Sequence, residues 1–149
     1  AFEFMNDKAK KAINTNHDQL SDASLEFLSL LPDYFVENNI RFVHGVPPDS
    51  VFDYLSHTEK DETVKLLKKY SETIAFCGHT HVNEIIEIHE KKINRNKNIQ
   101  FDHNYNLNKS NRYIINVGSV SQPRQSDVSE KVFAIYDSAS SQLRFIKSE

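Results

Sequence analysis

Glycine occurs only three times in these 149 residues, and each copy abuts a chemically active side chain: His44-Gly45, Gly78-His79 and Gly118-Ser119. A chain so poor in the residue that tolerates left-handed conformation and close backbone approach has few places to make tight, unusual turns. All three follow apolar or β-branched runs that read as short strands, Ile40 to Val43, Thr73 to Phe76 and Tyr113 to Val117. The middle one continues as Cys77-Gly78-His79-Thr80-His81. In an extended chain, side chains two apart share a face, so His79 and His81 are expected to project together just beyond the strand, with Gly78 admitting a neighbouring backbone. Two imidazoles facing one way make half of a metal site, although His-x-His alone is a weak signal.

Composition narrows the class. With 38% hydrophobic residues, ten Phe and six Tyr, the chain can build a core, and its length suits one domain. A net charge of -3 gives no bulk attraction to nucleic acid or an anionic membrane. The lone Cys77 excludes an internal disulfide and fits a reducing, cytoplasmic setting. No apolar run has the length of a membrane span.

A first amphipathic helix is expected over residues 4 to 15. A second begins at the N-cap Ser21 and lines up Leu25, Leu28 and Leu31 before Pro32. Tyr34 to Val36 and Ile40 to Val43 read as a hairpin across Asn38-Asn39. Pro47-Pro48 enforces a loop, Ser50 to Leu55 reads as a short helix, and Thr58 caps a longer one to about Ser71. Thereafter the pattern is all strand: residues 85 to 93, 99 to 105, 113 to 117, and a last hairpin from 131 to 146. Helices cluster early and strands late, and the chain opens without a strand. That order suggests the second half of a larger α/β unit.

Phe42-Val43-His44-Gly45, Cys77-Gly78-His79-Thr80-His81 and Ile115-Asn116-Val117-Gly118-Ser119, continuing to Gln122-Pro123-Arg124, resemble in order and spacing the C-terminal motifs of calcineurin-like metallophosphoesterases, notably the small bacterial phosphodiesterase-type members. The resemblance runs from about Phe4 to the C-terminus. It implies an α/β fold, a sandwich of two mixed sheets flanked by helices, incomplete here because first-half strands are absent. It also implies a hydrolase of phosphoesters, in which two divalent ions (Mn, Fe or Zn) are held by Asp, Asn and His and a bridging hydroxide attacks phosphorus. Carried over by position, His44 and His79 would ligate one ion and His81 the other, while Asn116, Ser119 and Arg124 would lie against substrate. Val117 stands where many relatives have proline.

The family's first-half motifs, Asp-x-His, Gly-Asp and Gly-Asn-His, have no counterpart, since no glycine precedes Gly45. Asn16-His17-Asp18 spells part of the third but lacks its glycine and is expected between two helices. The general acid and the carboxylate ligands are therefore expected in a missing N-terminal half, and this chain alone should hold metal weakly and be inactive. A non-catalytic binding module on the same fold and a mononuclear zinc hydrolase using His44, His79 and His81 are the alternatives. Cys77 reads as a buried small hydrophobe more readily than as a further ligand. Glu84, Glu87 and Glu90, with His57, His89 and His103, are expected to face water.

Overall fold

The computed structural model describes residues 7–55, 60–90, 92–120 and 131–148. It divides into two compact units, residues 1 to 32 and 33 to 149. The first holds two helices, α1 (Asp7–Gln19) and α2 (Asp22–Ser29). Ser21 caps α2 as its sequence position demands, its side chain accepting from the Ser24 amide. Asn16-His17-Asp18 lies inside α1 rather than between helices, because the helix runs four residues past the expected end at residue 15.

The second unit holds nine strands and one helix among the described residues: β1 (Tyr34–Glu37), β2 (Ile40–Val43), α3 (Lys60–Leu67), β3 (Ile74–Cys77), β4 (Asn83–His89), β5 (Lys92–Asn96), β6 (Asn104–Asn106), β7 (Arg112–Val117), β8 (Lys131–Asp137) and β9 (Gln142–Ser148). Six form one mixed sheet in the order β1-β2-β3-β7-β4-β5, and three form an antiparallel sheet, β6-β9-β8. The parallel pairs are β2-β3 and β3-β7. Phe42, Phe76 and Ile115 lie in register across them.

Period-two alternation along these strands separates two cores. Ala75, Cys77, Ile86 and Ile114 share one face with Val43, Leu55, Leu67 and Tyr70. Ile74, Phe76, Ile85, Tyr113 and Ile115 point the other way, to Leu143 and Phe145 of the second sheet. Ile114, Ile115, Leu143 and Phe145 are fully buried. Each such side chain contributes about 1.5–3 kcal/mol on leaving water.

Several expected boundaries move. Residues 50–54 form an irregular, bent loop instead of a helix, because the Ser50 hydroxyl accepts from the Phe52 and Asp53 amides and donates to the Asp53 carboxylate, competing with helical bonding. The strand expected over residues 85 to 93 breaks at Glu90, whose φ is 54°, into the β4-β5 hairpin. That expected over 99 to 105 shrinks to β6. Glu84 is buried rather than hydrated, paired to Arg95 at 2.9 Å, and half-buried Glu87 accepts from Tyr113 and Asn111. His57 and Thr58 lie outside the described residues.

Candidate functional site

Strands β2, β3 and β7 run parallel and adjacent, so the loops that follow them emerge at one edge of the sheet. Each of the three glycine-bearing motifs begins there, which is where α/β sheets place their ligand sites. The Gly78 amide donates to the His44 carbonyl at 2.9 Å, locking the first two loops together.

His44 Nε2 lies 2.9 Å from His79 Nδ1. His79 Nε2 lies 3.1 Å from the Phe52 carbonyl oxygen, which can only accept, so Nε2 carries the proton and Nδ1 is left with a lone pair facing His44. A backbone carbonyl on the far nitrogen is the usual device that fixes a metal-binding imidazole. Two nitrogens each about 2.1 Å from one ion, at about a right angle, sit about 3.0 Å apart. The pair therefore fits two adjacent positions on a single cation. The Tyr54 ring lies against His79 with centroids 4.3 Å apart. Burial lowers the His44 pKa, with His79 and His81 adding to the effect, which favours the neutral, ligating form.

His79 and His81 are brought to this edge differently from the alternation argument. The strand ends at Cys77, and both histidines adopt left-handed backbone, with φ of 63° and 61°. Such conformations cost about 1–3 kcal/mol each and persist only where neighbours enforce them. Asn116 is the enforcer. It is buried, its Nδ2 donates to the Gly78 carbonyl at 2.7 Å and to the Thr80 hydroxyl at 2.8 Å, and its Oδ1 accepts from the Gly118 amide at 3.1 Å. Its amide holds the histidine loop and is not turned to solvent.

Gly118 has φ 82°, and a Cβ there would meet the Asn83 amide at 2.5 Å. A Cβ on Gly45 would meet the Ser50 carbonyl oxygen at 2.6 Å. Gly78, expected to be the close-approach residue, is not: a Cβ would meet nothing nearer than 3.7 Å. Ser119 is half-buried and its carbonyl accepts from the Val132 amide. Arg124 lies outside the described residues. Cys77 is buried and its thiol is pushed up to about 12, first by burial and then by Glu84, so it stays protonated and apolar in behaviour. Phe52 meets His79 through its backbone carbonyl, which leaves no mark in side-chain identity, and no local pattern ties the Tyr54 ring to His79.

Among the described residues no group of three or more His, Cys, Asp or Glu is arranged to hold a metal ion. The donors present fit part of one ion's coordination shell, not the whole of it.

The mixed six-stranded sheet with its smaller second sheet matches the metallophosphoesterase fold. Among solved structures the chain is similar to the crystal structure of a metallophosphoesterase from Sphaerobacter thermophilus, with a TM-score of 0.75 and 26% identity over 88% of this chain and 52% of that one. The likeness supports placing the chain in the metallophosphoesterase superfamily, and the chain spans about half the length of that neighbour. No protein-family model matches the chain, and no curated protein matches its sequence.

Proposed function

We propose that this chain is the histidine-bearing part of a metal-dependent phosphoester hydrolase. The observation that supports it most is the 2.9 Å His44–His79 nitrogen pair, with the far nitrogen of His79 held by a carbonyl, at the common end of three parallel strands. In this reading His44 and His79 hold one divalent ion and His81 contributes to a second. Imidazole donors suit manganese, iron or zinc. Bound there, the ions would supply positive charge opposite the phosphoryl oxygens. This chain's own part is to present neutral imidazoles at fixed orientation. Asn116 keeps the loop in place, and Ser119, with Arg124, is the remaining candidate to touch the phosphoester.

Three neutral imidazoles bring no negative charge to offset two dications. The carboxylate ligands and the general acid are therefore assigned to a companion segment, the N-terminal half of the same domain. Cytoplasmic placement fits the unpaired, buried Cys77, and among the described residues no helix is long and apolar enough to cross a membrane.

The test is turnover of a chromogenic phosphodiester with added Mn²⁺, by the chain alone and with the companion half supplied. Turnover appearing only with both halves, and lost in His79→Ala, supports the reading. Turnover that survives His79→Ala contradicts it. A non-catalytic binding module is the second reading, favoured by the lack of a complete ligand group among the described residues. Metal analysis of the joined halves separates the two, since a module of that kind stays metal-free.

A further inference from the structure

The segment between β2 and α3 carries two aromatic rings that its own packing does not hide. The Gly45 amide donates to the Ser50 carbonyl and the Ser50 amide to the Val46 carbonyl, both at 3.0 Å, so residues 45 to 50 curl back on themselves beyond β2. Val46 and Leu55 root the segment in the core, yet between them Phe52 is left 64% exposed and Tyr54 37%. Aromatic rings gain more than most side chains from leaving water, and two left close together at the surface mark a place where something binds.

Both residues line a cavity of about 630 Å³, inside the roughly 300–1,000 Å³ of small-molecule sites. Val46 and Leu66 extend its apolar lining. Lys65 of α3 and Lys69 of the turn after it also line the cavity, and among the described residues neither ammonium forms an ion pair. Asp53 and Glu62 add two carboxylates to the same lining. The cavity is joined to the imidazole pair through its aromatic residues: the Phe52 carbonyl accepts from His79 Nε2 at 3.1 Å, and the Tyr54 and His79 ring centroids are 4.3 Å apart. A phosphoester gripped at His44 and His79 therefore has this cavity beside it.

We propose that this cavity is the subsite for the departing group of the phosphoester, and that the group is of nucleotide type, a flat ring with N–H donors together with a second anionic group. The ring stacks on Phe52 and Tyr54, the anion meets Lys65 and Lys69, and the ring N–H groups meet Asp53 and Glu62. Simpler occupants match less of the lining. Inorganic phosphate leaves both rings uncovered, a wholly apolar ligand strands two ammoniums and two carboxylates, and a ligand bearing only negative charge is opposed by Asp53 and Glu62. The proposal rests on the reading of the chain as part of a hydrolase. Hydrolysis adds water across the P–O bond, the hydroxyl going to phosphorus and the proton to the departing oxygen, so the cavity holds one of the two products after cleavage.

The experiment titrates adenosine monophosphate into the ¹⁵N-labelled 149-residue chain without metal, beside ribose 5-phosphate, which lacks the ring, and adenosine, which lacks the anion. The expected result is that the nucleotide shifts the amides of Phe52, Tyr54, Lys65 and Lys69 and binds about tenfold or more tighter than either fragment. Phe52→Ala keeps the carbonyl that holds His79 and brings the nucleotide's affinity down to that of ribose 5-phosphate. Lys65→Gln combined with Lys69→Gln brings it down to that of adenosine, and Lys68→Gln, which is exposed outside the cavity lining, leaves it unchanged. Equal affinity for the three probes, shifts confined to other amides, or undiminished affinity in Phe52→Ala overturns the proposal. Mn²⁺-dependent turnover of the chromogenic diester by the joined halves is scored separately. Nucleotide binding without turnover removes the hydrolase reading and leaves the nucleotide site, and turnover without nucleotide binding does the reverse.

Discussion

The two ends of the parallel strands β2, β3 and β7 use polar residues in opposite ways. At the starting end, Arg41 and Glu72 are both buried and joined by two hydrogen bonds of 3.0 and 3.2 Å. Arg112 donates to the carbonyls of Leu67, Tyr70 and Glu72, and both guanidiniums lie over the Tyr70 ring. Every charge there meets a partner. At the finishing end His44 is exposed, His79 and His81 are part-buried on left-handed backbone, and His79 Nδ1 pairs with His44 Nε2 at 2.9 Å. One end is held by charge pairing inside the sheet; the other carries an imidazole pair at its surface on strained backbone. A sheet divided in this way tolerates strained backbone at one edge because the opposite edge anchors the strands.

The largest effect is expected from breaking the charge-paired end. Glu72→Ala leaves the Arg41 guanidinium buried without its anion and should cost about 3–5 kcal/mol in denaturant unfolding. The same pair sets acid sensitivity. Burial by itself raises the Glu72 pKa, but the Arg41 hydrogen bonds win and leave it below the ordinary value of 4.5. Its folded form is thus favoured ionised, so that stability is present above the unfolded value and lost as the pH falls below about 4.5. A midpoint unchanged between pH 6 and pH 3 contradicts this.

Next comes the link between the ends and the loop. Asn116→Ala strips two donors from the histidine loop and leaves the Gly118 amide unpaired, for a loss of about 2–3 kcal/mol. Because it also frees the backbone that orients His79, metal affinity should fall about tenfold or more. If stability drops and metal affinity does not, Asn116 serves the fold only.

Glycine substitutions sharpen the contrast within the finishing end. Gly118→Ala meets both a positive φ and the Asn83 amide, and should cost about 1–3 kcal/mol. Gly78→Ala meets only ordinary contacts and should stay within about 0.5 kcal/mol. Equal losses at the two positions would mean the loop is not strained where the backbone places it. The smallest effect belongs to His44. Its lowered pKa means that it resists protonation when folded, so stability erodes as the pH drops below about 6.5, and His44→Ala should flatten that slope.

Much of this was legible in sequence because apolar periodicity is local. The hairpin across Asn38-Asn39 forms as its residues require, both central residues adopting positive φ, and Ser21 caps α2. The three glycine-bearing motifs do fall on one sheet edge. What could not be read from local pattern depends on tertiary partners. Glu84 looks like a solvated charge until Arg95, eleven residues on, neutralises it inside the sheet. Helix signals at Ser50 yielded to a hydroxyl that bonds its own loop. The histidines face together through two left-handed residues and the Asn116 amide, which no alternation rule foresees.

The central claim is that His44 and His79 form the two-nitrogen grip for one cation. Titrating Mn²⁺ into the ¹⁵N-labelled chain while observing imidazole signals tests it most directly. The account predicts that the His44 and His79 resonances broaden together at the lowest metal concentrations, ahead of His17, His89 and His103, and that Ala at either position abolishes the early broadening of the other. Uniform broadening across all histidines, or early broadening that persists at His44 in the His79→Ala chain, would contradict it.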